Sequence, residues 1–370
     1  MRVTIERSAF LKALNHVQSV VERRNTIPIL SNVLVQAKGG EVRLSATDLD
    51  IEIVETAPAE VAQEGAVTVS AHMLYDIVRK LPDGAQLELD QGPDPGRVAV
   101  KAGRSRFALQ SLPPEDFPDL AQGEMANSFS IPAADLKGLI DKTRFAISTE
   151  ETRYYLNGIY LHEVASAGVL RAVATDGHRL ARAQVALPKG AKGMPGIIVP
   201  RKTVLELAKL IESGEGDVSV SLSPAKIRFS FNGLTLTSKL IDGTFPDYER
   251  VIPRHNDKTL DVDAKLFAGA VDRVSTVSFE KGRAVKLNMA DGRLVLTVNN
   301  PDSGSAEEEI AATYDSDPID IGFNSRYLLD IAGQIKSDTA RFKLADAGSP
   351  TIVQDPEDEQ ALYVLMPMRV

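Results

Sequence analysis

The chain repeats itself three times, and any fold proposed for it has to accommodate that. LYDIVRKL from Leu74, VLELAKLI from Val204 and LLDIAGQI from Leu328 recur at intervals close to one third of the 370 residues. Ahead of each lies a pair of alternating segments around a Gly-containing turn: NVLVQAKGGEVRLSATDLDIEI from Asn32, NGIYLHEVASAGVLRAVATDGHRLA from Asn157 and VKLNMADGRLVLTVNNPDSGSAEEEI from Val285. Period-two alternation around such turns predicts antiparallel hairpins. Each copy opens with a helical pattern, SAFLKALNHVQSVVERR from Ser8, PAADLKGLIDKTRF from Pro132 and DAKLFAGAVDRVS from Asp263. Ser8 and Asp263 suit N-caps and Pro132 suits a first helical turn. Further strands close each copy, in GRVAVKAGRSRFALQSL, AKIRFSFNGLTLTSKL and TIVQDPEDEQALYVLMPM.

Units this long, with two helices each, are repeated domains rather than solenoid turns. The fold class expected is α+β, three tandem similar domains in which two helices pack on antiparallel sheets. Pro118 and Pro246 mark the joints by forcing the preceding Phe into extended backbone. The boundaries expected are near residues 125 and 252, giving domains 1–125, 126–252 and 253–370.

A net charge of −9 argues at first against a nucleic-acid partner, but the charges are unevenly placed. The segment 8–24 carries +2, and 71–80, 133–145, 201–212, 264–275 and 325–336 carry +1 each, so the helical segments hold +7 and the remainder −16. Lys-rich exposed helix faces are common, but six segments of one sign suggest a shared basic face for phosphates. No base-reading motif accompanies it.

With no cysteine, the chain has no disulfide, thiolate metal site or thiol nucleophile. Its N-terminus has no apolar leader and no stretch is long enough to span a membrane, so a soluble cytoplasmic protein is expected, with no membrane partner. The five histidines show no metal-ligand spacing, and GAKGMPG (190–196) reads as a loop without phosphate-binding context. Asp176 and His178 are the best catalytic candidates, with Asp48 at the equivalent turn in the first copy. The third copy has Asn299 and Asn300 where the second has Thr175 and Asp176, which favours turn-making over catalysis. Glu307, Glu308 and Glu309 read as a solvated edge. No catalytic residue, metal or cofactor is expected.

RYYLNG (153–158), ATDGHRLA (174–181), VPRK (199–202), SKLIDGTFPDY (238–248) and the terminal MPMR (366–369) together resemble the bacterial DNA polymerase III β subunits, the sliding clamps. The resemblance covers the whole chain. It implies a processivity factor of DNA replication: a head-to-tail homodimer closing into a ring around double-stranded DNA, without sequence specificity. The partners implied are the replicative polymerase α subunit, a clamp-loader ATPase complex, and other polymerases and repair proteins that dock through linear peptides. Positions matching the family's DNA-facing residues are Arg24, Tyr154, Arg201 and Lys202. Those matching its peptide pocket are Leu156, Thr175, Gly177, His178, Arg179, Leu180, Pro246, Arg250, Val251, Val364, Met366, Pro367, Met368 and Arg369, with Arg179, Arg250 or Arg369 expected at the rim. Methionines flanking Pro367 suit a pocket that accepts varied peptides. Phe107 and Leu109 match one side of the subunit joint, Thr276 and Val277 the other. Glu249, Thr276 and Val370 depart from the family pattern. A hydrolase using Asp48 and Asp176 as paired carboxylates and a protein-only scaffold are the competing readings.

Overall fold

A computed structural model describes residues 1–120, 123–278 and 284–369. Among these residues are six α-helices, two per repeat: α1 (Arg7–Val17), α2 (Ala71–Lys80), α3 (Ala133–Thr143), α4 (Arg201–Leu210), α5 (Ala264–Ser275) and α6 (Ser325–Ala332). Phe10, Ala13, Leu14 and Val17 of α1 are buried at the same spacing as Phe267, Ala270, Val271 and Val274 of α5. An apolar stripe at i, i+3, i+4 and i+7 seats each helix on its sheets. α1 packs against α2, and α5 against α6.

Asp263 caps α5 as expected, its carboxylate accepting from Leu266 N at 2.8 Å. Ser8 does not cap α1. Glu6 does, accepting from Ala9 N at 3.0 Å, while the Ser8 hydroxyl donates to the same carboxylate. Pro132 ends a strand and α3 begins one residue later. The first helix is shorter than the basic segment 8–24: after Val17 the chain tightens into a 3-10 turn and leaves helical geometry at Val21. Over the observed bounds α3 and α6 are electrically neutral, so the basic excess sits on α1, α2, α4 and α5. Phe117, before Pro118, is extended as expected, at φ −75° and ψ 123°.

The chain divides into two compact units. The first comprises Met1–Ala134, Pro188–Ala191 and Lys202–Leu240; the second comprises Asp135–Leu187, Lys192–Arg201 and Ile241–Val370. Strand pairing explains why the central repeat is shared between them. In the first unit its strand Leu234–Lys239 pairs with Ile51–Pro58 of the N-terminal repeat, Ser238 opposite Ile51. In the second, its strand Arg179–Ala186 pairs with Ala361–Leu365 of the C-terminal repeat, Arg179 opposite Leu365. The last strand of one repeat thus extends a sheet of the repeat before it. The remaining sheet of the first unit ends on Ser105–Gln110, an edge.

The second strand of each hairpin ends in the same turn. Asp48 Oδ1 accepts from the N–H groups of Asp50 and Ile51, Asp176 Oδ1 from His178 and Arg179, and Asn300 Oδ1 from Asp302 and Ser303. An acid and an amide perform one backbone-satisfying task at three equivalent places.

Candidate functional site

Within the second unit, the turn after strand Val169–Thr175 sets the geometry. Thr175 Oγ1 donates to Arg179 O at 2.7 Å and accepts from Gly177 N at 3.1 Å. Gly177 has φ +88°, a backbone conformation that favours glycine, and a Cβ there would displace the Arg153 guanidinium, whose Nη1 would lie 2.5 Å away. Leu180 then stands opposite Val364 of the C-terminal strand. Beyond that strand, Met366 N donates to His178 O at 2.9 Å and Met368 N to Gly322 O at 2.8 Å. The chain end is therefore held by two hydrogen bonds while its side chains stay accessible.

Leu156, Leu180 and Val364 lie in one apolar cluster with Phe245, Tyr248, Ile352 and Leu362. Val251, next in sequence to Ile252, which packs on this cluster, is 48% exposed; Met366, two residues after Val364, is 40% exposed, and Pro367 and Met368 are half-buried. Gly177, His178, Pro246, Arg250 and Arg369 are exposed, and Thr175 is half-buried. Val370 lies outside the described residues.

Arg179 departs from its expected place at the rim. It is buried, and its guanidinium bonds Asp176 Oδ2 (3.1 Å), Asp330 Oδ2 (2.6 Å) and Phe145 O (2.7 Å). It is an internal strut, because every nitrogen already has an acceptor. Tyr327 was missed by sequence reasoning: its ring lies 6.5 Å from that of His178 and 4.2 Å from the Arg179 guanidinium. The signal was there, since Tyr327 falls off the buried stripe of α6 formed by Leu328, Ile331 and Ala332.

Of the residues matched to DNA contacts, Arg24, Tyr154 and Arg201 are exposed. Lys202 is not free. Its ammonium holds Asp48 Oδ2 at 2.6 Å and also Glu22, both within the first unit. Burial alone would lower its pKa, but the hydrogen bonds it donates to these two carboxylates outweigh that and raise it. A cation already paired twice has little left for a phosphate.

Phe107 is half-buried on the edge strand and lines a hollow of about 630 Å³ with His72, Met73, Ile77 and Leu81. Leu109 is buried within its own sheet, so it backs this surface rather than forming it. Thr276 caps α5 through its N–H to Arg273 O, and Val277 O accepts from Asn300 Nδ2 at 2.8 Å. Asp48 and Asp176 are each committed to backbone and to a cation, and no group of residues able to hold a metal occurs among the described residues.

Family models of the DNA polymerase III β subunit match in three consecutive parts: the N-terminal domain over residues 1–121, the central domain over 130–247 and the C-terminal domain over 249–369. The chain belongs to the DNA polymerase III β subunit family. It is 56% identical to the β sliding clamp of Caulobacter vibrioides strain NA1000 and 39% identical to that of Escherichia coli K12, covering the full length of both. A clamp from Bartonella birtlesii bound to griselimycin superimposes with a TM-score of 0.98 at 55% identity over the whole of both chains. One from Caulobacter crescentus, with polyethylene glycol at a putative β-motif tethering region, gives 0.96 at 56% identity, again over the whole of both chains. Clamp membership makes the chain a DNA polymerase processivity factor in replication, not an enzyme. Among the described residues, no helix is long and apolar enough to cross a membrane.

Proposed function

We propose that the chain acts as a head-to-tail homodimer, closing into a ring that slides on duplex DNA in the cytoplasm and tethers partners through linear peptides. The repeat boundaries in this reading lie near residues 125 and 252. One observation carries it: the edge strand Ser105–Gln110 lacks the neighbour that its counterparts elsewhere in the chain possess, and Gly304–Thr313, which pairs along one side with Arg293–Asn300, is flanked on its other side only at Ala312 and Thr313. The last strand of the central repeat pairs with the first repeat, and that of the C-terminal repeat with the central one. By the same rule Ser105–Gln110 pairs with the strand Gly304–Thr313 of a second copy in head-to-tail order. Repeating the observed register places Leu109 opposite Ser303, Phe107 opposite Ser305 and Arg104 opposite Glu308. Unpaired edges invite such pairing.

The helices support the same joint. Lys202 at the start of α4 reaches Val20 O, and the repeat equates Lys202 with His72 and Val20 with Val277. His72 and Met73 of one subunit would then meet Thr276 and Val277 of the other, covering the hollow beside Phe107.

Processivity follows from linkage rather than grip. Exposed Arg24, Tyr154 and Arg201 contact the duplex weakly and without base readout, in keeping with a protein of net charge −9. The groove over Leu156, Leu180 and Val364, rimmed by Val251, Met366 and Met368, receives apolar anchors of peptides from the replicative polymerase α subunit, the clamp loader and repair proteins. Griselimycin is expected to bind this chain as it binds the Bartonella clamp.

Retention on nicked circular DNA, with release once the same DNA is linearised, is the deciding measurement. Equal retention on both, or on neither, would exclude a sliding ring; retention on neither with peptide binding intact would favour a protein-only scaffold.

A further inference from the structure

The segment joining the central and C-terminal repeats lies on a ready-made seat in the second unit. His162, Arg171 and Gln184 stand opposite one another across three neighbouring strands, and Tyr160, Val173 and Arg182 form the adjoining row on the same face. Three side chains of the segment are anchored there. Phe245 stacks on Tyr160 with centroids 4.9 Å apart and planes 7° from parallel. The Tyr248 hydroxyl accepts from Arg171 Nη1 at 3.0 Å and reaches His162 Nε2 at 2.9 Å. Glu249 Oε1 takes the same Arg171 nitrogen at 2.6 Å, with Arg182 at 3.9 Å.

Hydrogen bonding fixes the protonation pattern. His162 Nδ1 lies 3.0 Å from the carbonyl of Glu163 and must donate to it, so the neutral ring accepts from the Tyr248 O–H through Nε2. Burial lowers the His162 pKa, in agreement with the neutral form. Arg171 is 8% exposed and its remaining nitrogens hold Gln184 Oε1 at 2.9 and 3.0 Å. The residues between and after the anchors, Pro246, Asp247, Arg250 and Val251, are exposed. Arg250 pairs with Asp247 at 2.8 Å, which leaves the Glu249 carboxylate to Arg171.

We propose that Arg171 is a positioning residue for the peptide groove: by joining Gln184 on the sheet to Tyr248 and Glu249 on the connecting segment, it fixes the turn that presents Pro246, Arg250 and Val251 to a bound peptide. This rests on the groove reading above. The acid at position 249 acts as the segment's electrostatic anchor. Arg171 touches no peptide itself. Its effect is to remove the cost of ordering the wall when a ligand arrives.

The test is a double-mutant cycle on the full-length protein, using Arg171→Met, Glu249→Gln and the pair. The probe is a fluorescein-labelled short peptide with two leucines and a phenylalanine as anchors, read by anisotropy, with griselimycin as competitor. Each single variant should weaken the probe roughly three- to tenfold and the pair no more than either alone, because coupled residues are non-additive. Arg171→Lys, which keeps the charge but cannot fork to both partners, should recover part of the loss. Melting temperature and mass are measured on every variant, and Tyr248→Phe supplies a milder change if Arg171→Met fails to fold. Wild-type affinity in folded Glu249→Gln and Tyr248→Phe would overturn the inference. Unchanged affinity in a Met366→Ala, Leu180→Ala control would overturn the groove reading instead.

Discussion

Arg179 Nη1 and Asp330 Oδ2 lie 2.6 Å apart, joining a strand of the central repeat to α6 of the C-terminal repeat within one compact unit. The guanidinium is enclosed by Tyr327 at 4.2 Å and Phe145 at 5.2 Å. Removing Asp330 leaves a buried cation short of one acceptor, with Asp176 as its remaining carboxylate. Asp330→Ala should therefore cost about 1–3 kcal/mol, with Asp330→Asn milder because its amide oxygen still accepts. Urea unfolding followed by fluorescence would measure it, and an unchanged midpoint would show that the strut carries no stability.

Much of this fold was written in local periodicity. The three leucine-rich helices and the Asp48, Asp176 and Asn300 turns stand out because an amphipathic stripe and a side-chain-capped turn each need particular residues at particular offsets. Where the first helix stops was not legible, since the 3-10 turn at Gln18–Val20 continues the same apolar spacing. The sharing of the central repeat between two units was hidden too, because pairing of strand edges depends on which backbone groups remain free. The proposed groove is legible only in part. Leu180 and Val364 could be matched along the sequence, but the burial of Arg179 depends on Asp330 and Tyr327, 151 residues away for the ion pair.

The subunit joint is open to substitution at Phe107, which lines the hollow that a second copy would cover. Phe107→Asp should yield monomers by sizing with light scattering, since an edge carrying a buried acid cannot repeat the observed pairing. Arg104→Glu should weaken the dimer less, by placing an acid against Glu308 at the expected register. A dimeric mass in Phe107→Asp would place the joint elsewhere.

Asp355 gives the C-terminal repeat a defined acid sensitivity. Burial would raise its pKa, but hydrogen bonds from Ser337 and from the N–H groups of Lys336, Ser337 and Glu357 outweigh this and lower it to about 2. The folded state thus prefers the carboxylate more than the unfolded chain does. The resulting stability is present above the ordinary value of 3.8 and is lost as pH falls toward 2. In Asp355→Ala this part of the pH dependence should vanish, along with about 1–3 kcal/mol at neutral pH from the unsatisfied N–H groups. Thermal melts of both proteins between pH 7 and about pH 3 would reveal it; parallel curves would assign the acid response to other carboxylates.

The chain end separates binding from folding most sharply. Strand Ala361–Leu365 is paired on both sides, so it belongs to the core, whereas the residues after it touch the body through Met366 N to His178 O and Met368 N to Gly322 O. Ending the chain after Pro367 removes one of these bonds, worth about 1 kcal/mol, and takes Met368 and Arg369 from the groove. Fold and dimer mass should survive. Peptide binding should not, because Met368 would no longer flank Pro367 beside exposed Met366 and Val251, and losing a central anchor contact costs about 2 kcal/mol or more. Anisotropy with a labelled peptide, controlled by circular dichroism and sizing, would decide it. Full affinity in a folded, dimeric truncation would move the partner site away from the terminus and leave Leu156, Leu180 and Val364 as core alone.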